Sequence, residues 1–90
     1  MAIIATFDSP TVTKEQYDAV IRDLEAQGLG APEGRMYHVA GAGPNGWHVT
    51  DVWESEETFE RFGQRLVPLL QKHGMDIQPV VFPAHNVIPG

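Results

Sequence analysis

The residues of this 90-residue sequence best suited to acid–base chemistry are its four histidines and one aspartate set in an apolar strand segment. Histidine is the side chain that titrates near neutral pH without help. His38 reads as a general base, with a hydrogen-bonded strand histidine as the plainer alternative. Asp51 lies between Val49 and Val52, two residues before Trp53. A carboxylate there is a base or polar anchor in a cavity, or else half of an ion pair with Arg35 or Arg65. Trp53 and Phe62 are candidate cavity walls for a flat ligand; ordinary core is the alternative. Tyr37 and His85 complete the candidate ligand contacts, His85 following the last strand within reach of a cavity or a second subunit. His48, beside a turn, reads as a solvated hairpin end. His73, at a helix C-terminus, reads as a cap favoured by the helix dipole.

Other chemistries find no residues. The absence of cysteine excludes a disulfide scaffold, a thiolate zinc site and a cysteine nucleophile, and fits a reducing compartment. No His-x-His or His-Glu-x-x-His pair is present, and His38 and His48 lie ten apart, so no metal is expected. Gly41-Ala42-Gly43-Pro44 leads into a strand rather than a helix and is no phosphate loop. Ser9 and Ser55 occupy turn and cap positions, which does not suit a nucleophile. Six basic against 12 acidic residues give a formal charge of −6. That balance repels nucleic acid and anionic membrane alike. No stretch approaches the roughly 20 apolar residues of a membrane span. The start, Met1 to Asp8, lacks the basic region of a signal peptide, so a cytoplasmic location is expected.

The elements that position these residues follow from local patterns. Residues 2–7 form an apolar strand ended by Asp8-Ser9-Pro10. Thr13 and Gln16 have capping-box spacing, and Tyr17, Val20, Ile21 and Leu24 make one helical face. Gly28, Gly30 and Pro32 stop that helix. Residues 35–41 and 47–53 are strands joined by Gly43-Pro44-Asn45-Gly46. Ser55 caps a second helix whose apolar face runs through Phe59, Phe62, Leu66, Leu69, Leu70 and His73, with a kink or break expected at Pro68. Residues 77–82 begin a last strand that Pro79 and Pro83 make irregular or place at an edge. The order βαββαβ is the ferredoxin-like unit, an α+β fold with a four-stranded antiparallel sheet and two helices on one face. Residues 1–90 form a single domain.

The hairpin register decides which face carries His38. Its turn chemistry fits a type I turn with Gly46 in the left-handed region and a bulge. Residue 43 then pairs with 47, His38 shares a face with His48 and Thr50, and Tyr37, Val39, Asp51 and Trp53 share the other. A two-residue turn without the bulge instead puts His38 opposite Asp51. Several strands are apolar on both faces, which two helices on one side cannot cover. A second copy of the chain is the simplest cover, so a homodimer with its sheets face to face is expected.

The segment Trp53-Glu54-Ser55-Glu56-Glu57-Thr58-Phe59-Glu60-Arg61-Phe62, with an acidic residue two before the Trp, resembles the third-strand-to-second-helix junction of dimeric α/β-barrel proteins. Among these the chain is most similar to the antibiotic-biosynthesis-monooxygenase-like group. The resemblance implies a dimeric α/β barrel with a ligand cavity between sheet and helices in each subunit. It also implies a small cofactor-independent enzyme of monooxygenase, cyclase or isomerase type, acting on an aromatic or polyketide-like ligand. His38 would be the base, Asp51 its orienting partner, and Trp53 and Phe62 the clamp on the ring. The alternative is a non-catalytic homodimer that binds a small hydrophobic ligand or a protein partner. Thr6 and Phe7 on the first strand and Phe62 on the second helix depart from haem-degrading members, so no haem is implied. Phe62 and Pro68 likewise stand where cyclase members carry their catalytic pair.

Overall fold

The computed structural model describes residues 1–90. Six elements follow in the order β1 (Ile3–Ser9), α1 (Lys14–Ala26), β2 (Arg35–Gly43), β3 (Gly46–Trp53), α2 (Glu56–Lys72) and β4 (Val80–Pro83). The strands form one antiparallel sheet in the order β2-β3-β1-β4. This is the ferredoxin-like α+β fold. No helix is long and apolar enough to cross a membrane.

The helix boundaries have local causes. At α1 the Thr13 hydroxyl accepts the Gln16 N–H at 3.1 Å, and the Gln16 side chain accepts the Thr13 N–H at 2.9 Å. Both are donors that a helix start otherwise leaves unpaired. Ser55 caps α2 in the same way, accepting the Thr58 N–H at 3.2 Å. The two helices end beside glycines of positive φ, Gly28 at 75° and Gly74 at 70°. Helix α2 runs on through Pro68 to Lys72 without breaking. The neighbouring Leu69 and Leu70 are buried, and their packing holds the turn that the proline's missing N–H weakens.

One face of the sheet meets the helices. Ile3 and Ala5 from β1, Val49, Asp51 and Trp53 from β3, Val20 and Leu24 from α1, and Phe62, Leu69 and Leu70 from α2 are all buried. The other face carries two cross-strand rows, set by the pairing: Tyr37–Val52–Ile4–Phe82 and Val39–Thr50–Thr6–Val80. Tyr37, Val39, Val80 and Phe82 are exposed.

The β2–β3 hairpin takes the two-residue register. Gly43 pairs with Gly46, so Pro44 and Asn45 alone form the loop, and His38 pairs with Asp51 rather than Val52. The grouping of His38 with His48 and Thr50 is thereby corrected. Gly46 does take the expected positive φ, 104°, with Ser9 and Pro10 packed where a Cβ would stand. That close approach by β1 holds the turn tight. The register irregularity lies at the other end of β2, between Arg35 and Tyr37. The extra residue, Met36, lets Arg35 and His38 face the helices together. The last strand is irregular and lies at the sheet edge, as Pro79 and Pro83 predict, but it starts later than residue 77, β4 beginning only after Pro79.

Candidate active site

Between the sheet and the helices, a hydrogen-bonded chain of side chains lines an otherwise apolar cavity. Asp51 on β3 and His38 on β2 are direct cross-strand partners. The His38 Nδ1 lies 2.5 Å from Asp51 Oδ1. An ionised carboxylate only accepts, so the Nδ1 proton donates to it and the Nε2 lone pair points away. Nε2 is met by the Tyr17 hydroxyl of α1 at 2.5 Å. The phenol donates and the imidazole accepts. The Tyr17 and His38 rings are stacked, 7° from parallel, and Trp47 packs on Tyr17 at a centroid distance of 5.3 Å. The second carboxylate oxygen of Asp51 accepts the Trp53 indole N–H at 3.2 Å. Asp51, His38 and Tyr17 come from β3, β2 and α1, so the chain ties three elements together.

Burial raises the ionisation of the Tyr17 phenol above its ordinary value of 10.0. Arg35 opposes that rise, while Asp51 and Asp18 add to it. At neutral pH the resting proton therefore sits on the tyrosine oxygen, which is the state the hydrogen bond to Nε2 requires.

Tyr17, His38, Asp51 and Arg35 are the polar wall of a cavity of about 60 Å³ whose remaining lining is hydrophobic, including Phe62, Leu66 and Ile77. A second cavity of about 200 Å³ adjoins it, sharing Phe7, Val49, Asp51, Leu66, Leu70 and Ile77 and reaching Pro79. The small side chain of Ala5, next to Asp51 in the sheet, opens this second space. No group of three or more His, Asp or Glu side chains converges as metal ligands.

The expected site residues divide. His38, Asp51 and Phe62 come together at the cavity. Trp53 does not wall it: the indole is completely buried and lies behind Asp51, against Phe59 and Phe62. Its part is to hold the carboxylate. Tyr37 points to the opposite face, where its hydroxyl accepts the Gly90 N–H at 3.0 Å, and it touches no cavity. His85 is exposed beyond β4. His48 lies on the open face, where Asp8 accepts its Nδ1–H at 2.8 Å and Thr50 bonds its Nε2. His73 donates to Asp23 at 2.7 Å and ties the end of α2 to α1. Arg35 pairs with the Gly30 carbonyl at 2.8 Å rather than with Asp51. Tyr17 is the member of this chain of side chains that the sequence did not single out as a site residue. Its signal was present, because it is the one residue with a polar tip in the stripe Tyr17, Val20, Ile21, Leu24.

The same fold is found in several solved structures, an oxygenase and a monooxygenase among them. The chain is similar over 99% of its length to SnoaB, a cofactor-independent oxygenase from Streptomyces nogalater, in a structure of a variant of that enzyme. It covers 96% of that chain at 14% identity, with a TM-score of 0.64. It is also similar to a monooxygenase from the gene ActVA-Orf6 of Streptomyces coelicolor, solved with nanaomycin D. There it covers 99% of this chain and 91% of that one, at 19% identity and a TM-score of 0.54. A hydroxynitrile lyase from Passiflora edulis shares the fold as well, at 14% identity, 98% and 94% coverage and a TM-score of 0.55. No protein-family model and no curated protein matches the sequence.

Proposed function

We propose that the protein is a small cofactor-independent enzyme that removes a proton from an aromatic or polyketide-like ligand held between sheet and helices. The observation that carries this reading is the unbroken chain Asp51–His38–Tyr17 along the wall of an apolar cavity. His38 is the base. Its Nε2 is already engaged by the Tyr17 hydroxyl, so the proton passes through that oxygen. Tyr17 takes a proton from an acidic C–H or phenolic O–H of the ligand as its own moves to His38. Asp51 stabilises the resulting imidazolium and fixes its orientation. Phe62 and the surrounding apolar side chains keep water from the carbanion or phenolate that forms. That anion can then reduce dioxygen, close a ring or be reprotonated elsewhere, which are the monooxygenase, cyclase and isomerase outcomes. Neighbours of the same fold include a cofactor-independent oxygenase and a monooxygenase solved with nanaomycin D, which favours the first. The working unit in this reading is a homodimer joined through the open sheet face.

The test is deuterium exchange at an activated C–H, because it reads proton abstraction whatever follows. An aromatic carbon acid such as anthrone, incubated with the protein in D2O, exchanges faster than in buffer, and oxygen uptake reports any oxygenation. His38→Ala and Tyr17→Phe lower the exchange rate by about 10²-fold or more while the fold is retained. Binding without exchange in the wild type would instead establish the non-catalytic ligand carrier.

A further inference from the structure

The arginines of this chain are distributed in a way that its overall charge does not explain. Both lysines are ion-paired, Lys14 with Asp18 at 2.8 Å and Lys72 with Asp23 at 3.1 Å. None of the arginines has a carboxylate within 4.0 Å, although the sequence offers 12 carboxylates. Two of these free guanidinium groups, Arg61 and Arg65, stand one helical turn apart on α2. With Thr58, Leu29, Pro32 and Glu33 they line a groove of about 170 Å³ between that helix and the loop before β2. The loop is held close to the helix: a Cβ on Gly34, which has a φ of 89°, would collide with Thr58. Arg65 is steadied by the Gln27 side chain at 3.3 Å, a neutral acceptor that leaves its charge uncompensated. Glu33 lines the groove but pairs with neither arginine.

Phe62 stands between this groove and the cavity that holds Tyr17 and His38, and lines both. A ligand with an apolar ring system in the cavity and an anionic group in the groove would pass its edge. We propose that the Arg61–Arg65 groove is an anion subsite that takes the carboxylate of an aromatic acid, so that the substrate class is an aryl or polyketide-like carboxylate rather than a neutral ring. This rests on the function proposed above and narrows its substrate. The chemistry is specific. Guanidinium offers a planar fork of donors that matches a carboxylate in two parallel hydrogen bonds. Elsewhere a surface of net charge −6 repels anions, so the groove is the place where one is held.

Calorimetric titration with 2-naphthoate and with 2-naphthol separates the subsite from the cavity, because the two probes share a ring system and differ in the anionic group. Naphthoate is expected to bind at least tenfold more tightly than naphthol, and only its affinity should fall as salt is raised. Arg61→Gln and Arg65→Gln each weaken naphthoate about tenfold and leave naphthol unchanged. Glu33→Gln tightens naphthoate by removing a repelling charge. Equal affinity for the two probes, an equal loss for both in the arginine variants, or no naphthoate binding would each overturn the subsite. The arginines and Glu33 are exposed, and circular dichroism checks that the variants fold. Failure here is distinguishable from failure of the enzyme reading, which is measured by proton exchange in the Tyr17 and His38 variants.

Discussion

The proton between Tyr17 and His38 has one resting place, and three side chains determine it. Burial keeps the phenol neutral, the lone pair of Nε2 accepts from it, and Asp51 holds the opposite nitrogen. Replacing Asp51 by Asn should therefore damage activity more than folding. An amide can offer its N–H to the imidazole and so turn the ring to the wrong tautomer. A loss of about 10²-fold or more in proton exchange is expected, with a stability cost of about 1–3 kcal/mol for the disturbed buried hydrogen bonds, read by urea unfolding. Tyr17 also makes a testable demand on pH. A phenol whose ionisation is raised on folding favours the folded state while it keeps its proton. That contribution is complete below the unfolded value near 10 and is lost as pH rises through the higher folded value. Ultraviolet titration should show a tyrosine transition displaced to the alkaline side, and the Tyr17→Phe variant should lack it. Histidine and aspartate were legible as chemistry in the sequence because their types are rare in apolar strands. Tyr17 was not, because a helix stripe treats a phenol as one more apolar surface. Trp53 misled in the opposite direction, since a large aromatic beside a site reads equally as wall or as buttress.

At the level of elements, helices and strands were legible because capping pairs, glycine stops and β-branched runs act over a few residues. The register of β2 on β3 was not, because turn chemistry at Pro44-Asn45-Gly46 suits two loop lengths. The choice is made from outside the hairpin, by the backbone of Ser9 and Pro10 lying against Gly46. A methyl group there has no space, and φ at this position is 104°. Gly46→Ala should cost about 1–3 kcal/mol from backbone strain alone. Because the same turn sets His38 opposite Asp51, the variant should lose activity along with melting temperature, although residue 46 is far along the hairpin from the site. A second tie links the helices themselves. Asp23 on α1 accepts from both His73 and Lys72 at the end of α2, and those bonds hold its carboxyl below the ordinary 3.8. A depressed carboxylate stabilises the fold above its unfolded value and stops doing so as pH falls through the folded one. Denaturant midpoints of the wild type and Asp23→Asn should differ at pH 7 and converge below about pH 3.8.

For the molecule as a whole, the open face of the sheet is the largest unresolved demand. Helices cover one side, and on the other the rows Tyr37–Val52–Ile4–Phe82 and Val39–Thr50–Thr6–Val80 lie toward solvent, with Val39 56% and Val80 61% exposed. Side chains of this kind are ordinary when scattered, but here they line up in register across all four strands, and such patches mark interfaces. The demand was visible in the sequence as strands apolar on both faces, which no pair of helices can satisfy; the rows themselves were not, because the bulged register set Tyr37 and Val39 on the face of Asp51 and Trp53. A two-fold partner is the economical cover, since one patch then buries itself against its own copy. His48 and Asp8 sit on this face as a hydrogen-bonded pair, so a dimer formed here would have a polar end as well as an apolar middle. Light scattering at micromolar concentration should give about twice the chain mass of 9.9 kDa. Val39→Asp places a charge at the β2 end of one row and should bring the mass down to that of the monomer. Val39 is exposed within the single chain, so the substitution removes no core contact, and far-ultraviolet circular dichroism should stay unchanged. A wild-type mass near 9.9 kDa would mean that the rows face something other than a second copy. A dimer that survived Val39→Asp would move the contact elsewhere, to the free edge of β4 or of β2, where unpaired backbone groups offer strand addition in place of side-chain packing.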